Sequence, residues 1–266
     1  YKSLILINCL KELNQKVIVT FQGADIQIHK DINYGARLNQ KHDKLLKRTI
    51  KNIDFFTSIS KNIYNDLFSL GISNKQIFSF PNCINQSKFD SIPDINTLKD
   101  HLTFITVGRF AEKKKGFDLI KDIVEILNKK KIKFKWKIVG DGVNEILKYK
   151  IIKENIDKFD IIENIKNISE TYFPNTKLIK EYKSSDIYLN LSRVESFGIT
   201  FIESLASGTP IISFNTKGAN EIINSNHNGF IIKDFSLDDY VEKIEQIKND
   251  RSILEKIKQN SKSSVE

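Results

Sequence analysis

Short apolar runs alternate along the chain with longer stretches in which apolar residues recur every three or four positions. The short runs at 17–21, 55–59, 76–80, 102–107, 134–139, 160–165, 187–191, 210–214 and 230–232 read as buried strands. Helices are expected over 41–52, 61–70 and 177–184, after the glycine pair at 140 and 142, from about Gly198, near Glu221, and twice at the end of the chain. The helix over 117–130 is the clearest, with Ile120, Ile123, Val124 and Leu127 on one face. An amphipathic helix also opens the chain. Strict alternation of strand and helix predicts an α/β fold of doubly wound parallel sheets. Ligands bind such sheets at the carboxyl ends of the strands, where the notable loops fall. The polar stretch 81–100, with Pro81 and Pro93, reads as a linker. It gives a first domain over 1–92 and a second over 93–266.

Composition narrows the picture. A chain of 266 residues with 40% hydrophobic and 28% charged residues is globular. No apolar run approaches the ~18 residues of a membrane span, and the opening segment lacks the pattern of a signal peptide. Cys9 and Cys83 have no metal-ligand spacing, so a reducing, cytoplasmic setting is expected. With no methionine in the sequence, the chain is expected to be a piece lacking its N-terminal part. The net charge of +9 suits either a lysine-rich solvated surface or attraction to anions, meaning nucleotide phosphates or the inner face of an anionic membrane. The lysines lie in helix-like runs with no nucleic-acid motif, so no nucleic-acid partner is expected.

Candidate chemistry concentrates in RVESFGITFIESLASGTP, residues 193–210. Glu195 and Glu203 stand on either side of Gly198, which opens a helix after a buried strand. The N-terminus of such a helix favours an anion, and ionised carboxylates accept hydrogen bonds from hydroxyls. A ligand with phosphate in the middle and hydroxyls at both ends, such as a nucleotide-sugar, fits. The plainer alternative makes Glu195 a helix-entry acid and Glu203 a solvated one. The second signal is VGRFAEKKKGFDLI, residues 107–120. Here Gly108 and Arg109 follow a strand, and Lys113, Lys114 and Lys115 precede Gly116 at a helix start. Arginine grips phosphate with two bonds and lysine offers a point charge, although a solvated lysine run would look the same. No Asp-x-Asp triplet offers a divalent ion an anchor, so neither metal nor cofactor is expected. Gly140 and Gly142, in VGDG, form a strand-end turn that lets a ligand approach the backbone. In FQGADI, Gln22, Gly23 and Asp25 either face a cleft between domains or close an Asx turn. His29, His42, His101 and His227 form no cluster.

Together these segments resemble the retaining glycosyltransferases of family four, which have the two-domain GT-B fold. In family order, QGADI, PNCINQSKFD, VGRFAEKKKGFDLI, VGDG, ESFGITFIESLASGTPII and KGANEIINSNHNGFII each match a characteristic segment. The resemblance implies two Rossmann-like domains, the first incomplete. It also implies metal-independent transfer of a sugar from a UDP- or GDP-linked donor to a glycan or lipid-linked saccharide. Arg109 and Lys115 would bind the diphosphate, Glu195 and the backbone at Phe197 and Gly198 the sugar, and Glu203 the ribose. The loop before Gly116 is one residue longer than the commonest form, which leaves Lys114 as the alternative to Lys115. Gln22 stands where many members carry histidine, Cys83 where glycine is usual, and Asn85 where aspartate is usual. The rival functions are a sugar-nucleotide epimerase of the same architecture and a non-catalytic nucleotide-binding fragment.

Overall fold

The computed structural model describes residues 2–95, 100–163 and 174–264. The chain forms two compact units, Tyr1–Asn82 and Cys83–Glu266. The first holds α1 (Lys2–Glu12), β1 (Ile18–Phe21), α2 (Gln40–Thr49), β2 (Phe55–Ser58), α3 (Lys61–Ser69) and β3 (Ile77–Ser79). Its three strands pair in parallel in the order β1-β2-β3. Side chains set where its helices begin: Asn39 accepts from the N–H groups of Lys41 and His42, and Ser60 from that of Ile63.

The second unit opens with α4 (Gln86–Asp90), then β4 (Leu102–Val107), α5 (Glu112–Lys115), α6 (Ile120–Lys129), β5 (Phe134–Val139) and α7 (Lys150–Glu154). It continues through β6 (Phe159–Ile162), α8 (Thr176–Lys183), β7 (Ile187–Asn190), α9 (Ile199–Ala206) and β8 (Ile211–Phe214). The last elements are α10 (Lys217–Ile222), β9 (Gly229–Ile232), α11 (Leu237–Asn249) and α12 (Arg251–Ser263). All six strands are parallel, in the order β6-β5-β4-β7-β8-β9. The order reverses between β4 and β7. The carboxyl ends of the strands at such a switch point offer a crevice, the usual ligand position in such sheets.

Every residue of β4 is buried, because helices cover both faces of the sheet. Phe104 joins Trp136, Ile123 and Leu127 on one side. Ile105 and Val107 join Tyr188, Phe201 and Leu205 on the other.

The chain divides between Asn82 and Cys83, ten residues before the boundary expected at 92/93. The expected linker contains α4, whose Phe89 is fully buried and packs with Ile92 against Ile179 and Ala206. These contacts bind 83–92 to the second unit. The strand expected at 160–165 is seen over Phe159–Ile162, and Ile165 lies outside the described residues.

Candidate active site

The crevice is built from the loops after β4, β5 and β7. After β4 come Gly108, Arg109 and then α5, a single turn carrying all three lysines. The lysines thus precede Gly116, as expected. They form their own turn, and Gly116 breaks it in a left-handed conformation (φ 69°). A Cβ on Gly116 would stand 2.0 Å from the Leu191 carbonyl oxygen. The lysine turn therefore lies directly on the loop that follows β7. Gly116→Ala should lower stability by about 2–4 kcal/mol, from backbone strain plus overpacking; a denaturant titration checks this.

Arg193 ties the same two segments together. Its N–H donates to the Lys114 carbonyl at 2.9 Å, and its Nη1 to the Lys113 carbonyl at 2.8 Å. Its guanidinium also grips the buried Asp118 carboxylate with two bonds, at 2.7 and 3.0 Å. Such a planar, two-bond grip fixes orientation as well as distance.

The result is a pairing of the two signals read from sequence. Lys115 Nζ lies 2.5 Å from Glu195 Oε1, and Ser192 Oγ donates to that same oxygen at 2.8 Å. Burial pulls the Glu195 carboxyl upward, but Lys115, Ser192 and Lys114 together hold it below the ordinary value. Lys114 is half-buried, and its ammonium is pushed down by burial and by the charges of Lys115 and Arg109. Lys113 is exposed and turns to Asp118. Both Lys114 and Lys115 thus belong to the charged cluster, and Lys115 makes the direct contact with Glu195.

Glu203 is 1% exposed, on the inner side of α9. The sequence left a solvated glutamate open here; the structure buries it. Tyr182 of α8 donates to its Oε2 at 3.1 Å. Burial pushes the carboxyl up to about 7 from an ordinary 4.5, with only that phenol opposing. Glu203 lines a cavity of about 330 Å³ together with Gly108, Arg109, Gly140, Asp141 and Thr200. The Lys115 side chain lies beside Gly108, one of the lining residues: its Cδ and Cε lie 3.9 Å from where a Cβ on Gly108 would stand.

The structure therefore gathers Gly108, Arg109, Gly140 and Glu203 around one cavity, while Lys115, paired with Glu195, comes near Gly108 without lining it. Gly198 caps the start of α9, and Phe197 and Gly142 lie outside the cavity lining. A Cβ on Gly140 would stand 2.0 Å from the Gly108 carbonyl oxygen, so a glycine there lets the turns after β4 and β5 pack together. Gln22, Gly23 and Asp25 belong to the first unit. The Asp25 carboxylate accepts from the Gln22 and Gly23 N–H groups at 3.1 and 2.9 Å, a turn closed backward onto the preceding residues, where an Asx turn would reach the residue two on. Among the described residues, no three His, Cys, Asp or Glu side chains converge as a metal site would need. Sequence reasoning missed Ser192, Arg193, Asp118, Tyr182 and Thr200. The first was legible as a hydroxyl three residues from Glu195, but the others meet their partners only through the fold.

Parallel α/β units with a site at the switch point of the sheet are the GT-B architecture of glycosyltransferases. The model of the family glycosyl transferases group 1 matches residues 88–264, and the chain belongs to that family. It is 27% identical, over 188 residues, to a protein in the cps region of Klebsiella pneumoniae, covering 68% of this chain and 48% of that one. It is 28% identical to the capsular polysaccharide biosynthesis glycosyltransferase CapM of Staphylococcus aureus, over 64% of this chain and 42% of CapM. Among solved structures it resembles HepE of Anabaena in complex with UDP and glucose, with a TM-score of 0.73 at 14% identity, covering 98% of this chain and 70% of HepE. The chain spans about half the length of the curated relatives it matches.

Proposed function

We propose that this chain carries the donor site of a retaining hexosyltransferase that works without a metal ion. It would move a sugar from a UDP- or GDP-linked donor to a glycan or lipid-linked saccharide. The observation that carries this reading is Glu203, a buried carboxylate opening on the cavity that Arg109 also lines. A buried carboxylate without a cation is costly unless hydroxyls satisfy it, and the two hydroxyls of a ribose would do so. The diphosphate would then run past the first turn of α9 toward Arg109 and Lys115. Lys115 has three ammonium hydrogens, so it can keep Glu195 and still donate to phosphate. Glu195, held ionised, would accept from the hydroxyls of the sugar. These cations would take the charge that a metal otherwise neutralises on the leaving diphosphate. In front-face attack, the departing phosphate oxygen would take the acceptor's proton and the anomeric configuration would be kept.

The comparison with HepE, whose complex holds UDP and glucose, supports a UDP-linked donor. CapM supports a polysaccharide acceptor. The charge of +9 favours a cytoplasmic protein working at the inner face of a membrane. Among the described residues no helix is long and apolar enough to cross one.

The test is thermal denaturation with UDP or GDP, with and without excess chelator. A ligand at ~100 times its Kd should add about 2.7 kcal/mol of stability, undiminished by chelator. Stabilisation lost in chelator and restored by magnesium or manganese would contradict a metal-free site. No stabilisation by either nucleotide would contradict the donor reading. The anomeric configuration of a transfer product, read by NMR, tests retention.

A further inference from the structure

Beneath α9 lies a chain of hydrogen bonds that no charged residue joins. It starts at Asn190, the last residue of β7. The Ser192 N–H donates to Asn190 Oδ1 at 3.2 Å. A backbone N–H can only donate, so this contact fixes which way the Asn190 amide faces. Asn190 Nδ2 then donates to the Tyr188 hydroxyl at 3.1 Å. With that lone pair occupied, the Tyr188 hydrogen goes to Thr200 Oγ1, 2.9 Å away. Tyr188 is fully buried, and burial raises its phenol well above the ordinary value, so it stays protonated. The hydroxyl hydrogen of Thr200 is the end of this chain. Among the described residues no other group takes it, and Thr200 lines the cavity of about 330 Å³ that Arg109 and Glu203 share.

Position along α9 says what would meet that hydrogen. Thr200 is the second residue of the helix, where backbone N–H groups still lack partners. Glu203 lies three residues on, about 4.5 Å along the axis and on the same side. If Glu203 takes the ribose, the group beside Thr200 is the phosphate nearest that ribose.

We propose that the Thr200 hydroxyl donates a neutral hydrogen bond to this phosphate, and that Tyr188 is the positioning residue that aims it. The proposal rests on the nucleotide-sugar reading above. A neutral donor fits here because the cavity already holds the charges of Arg109, Asp141 and Glu203, and a hydroxyl adds affinity without altering them. A phenylalanine at 188 would leave the Thr200 hydroxyl free to turn its lone pair toward the phosphate.

Calorimetric titration with uridine, UMP and UDP, or their guanosine counterparts, tests it. Thr200→Val should weaken UMP and UDP about tenfold or more and leave uridine unchanged, and Thr200→Ser should restore both. Tyr188→Phe should weaken the phosphorylated ligands several-fold, and should have no further effect when added to Thr200→Val. Unchanged UDP binding in Thr200→Val would overturn the proposal, as would an equal loss for uridine and UDP. If Tyr188→Phe does not fold, the Thr200 pair still decides. A wild-type chain that binds neither UDP nor GDP would overturn the nucleotide reading itself, and this proposal with it.

Discussion

Replacing Lys115 by alanine should cut sugar transfer by roughly a hundredfold or more in a full-length enzyme. Removing one preorganised stabiliser of a developing negative charge costs about 2.7–4 kcal/mol of barrier. Here the loss is double, because Lys115 also holds Glu195 ionised through a contact of 2.5 Å. Without the ammonium, burial would dominate and the Glu195 carboxyl would rise. Turnover of Lys115→Ala should therefore show a new dependence on pH, increasing toward alkaline pH as Glu195 is forced to ionise. Breaking a largely buried pair from one side also costs stability, on the order of 3 kcal/mol. Arg109→Ala should lose transfer to a similar degree without that change in pH profile. Lys113→Ala should stay near wild type, since its side chain is exposed and turned to Asp118. Steady-state rates over pH 6–9 for the three variants check this. Equal effects at 113 and 115 would show that the run acts only as a diffuse charge.

Glu203→Gln should make the empty chain more stable at pH 8 while weakening its hold on nucleotide. The Glu203 carboxyl sits at about 7 in the fold against an ordinary 4.5. Between those values the folded chain keeps a proton that the unfolded chain has lost, so stability falls as pH rises through the interval. Above pH 7 the cost is complete, on the order of 3 kcal/mol. Glutamine removes it. The melting temperatures of wild type and variant should be close at pH 4 and separate progressively up to pH 8. Nucleotide binding should move the opposite way, because an amide forfeits charge-assisted bonds to the ribose worth about 1.5–3 kcal/mol each. In the wild type, nucleotide affinity should rise with pH up to about 7 and then level off, because ribose hydroxyls favour the ionised form.

The strands of the second sheet were plain in the sequence because both faces of that sheet are covered. The run 102–107, apolar or β-branched at every position and bounded by polar residues and a glycine, reads as a strand buried on both faces. The helix α4 was not plain: it is five residues of largely polar sequence held by one aromatic, Phe89. The paired glutamates were found, but their environment was only half legible. Phe201, Ile202, Leu205 and Ala206 lie on one side of α9, and Glu203 shares the other with Thr200 and Ser204. Such an amphipathic pattern reads as a solvated glutamate, so the burial of Glu203 follows only from what the fold packs against that side, Tyr182 of α8 among it. No local pattern announces that Arg193 will clasp Asp118, 75 residues earlier, or that Tyr188 will reach Thr200. The first follows from laying β7 beside β4 and the second from folding α9 back along β7, and the chain decides both only when it folds.

The most direct measurement is a crystal structure of this chain with UDP bound. The ribose should lie on Glu203, the phosphates at the first turn of α9, and the terminal phosphate within reach of Arg109 and Lys115. A nucleotide lodged outside the cavity that Arg109 and Glu203 share, or one with its ribose turned away from Glu203, would contradict the donor site described here.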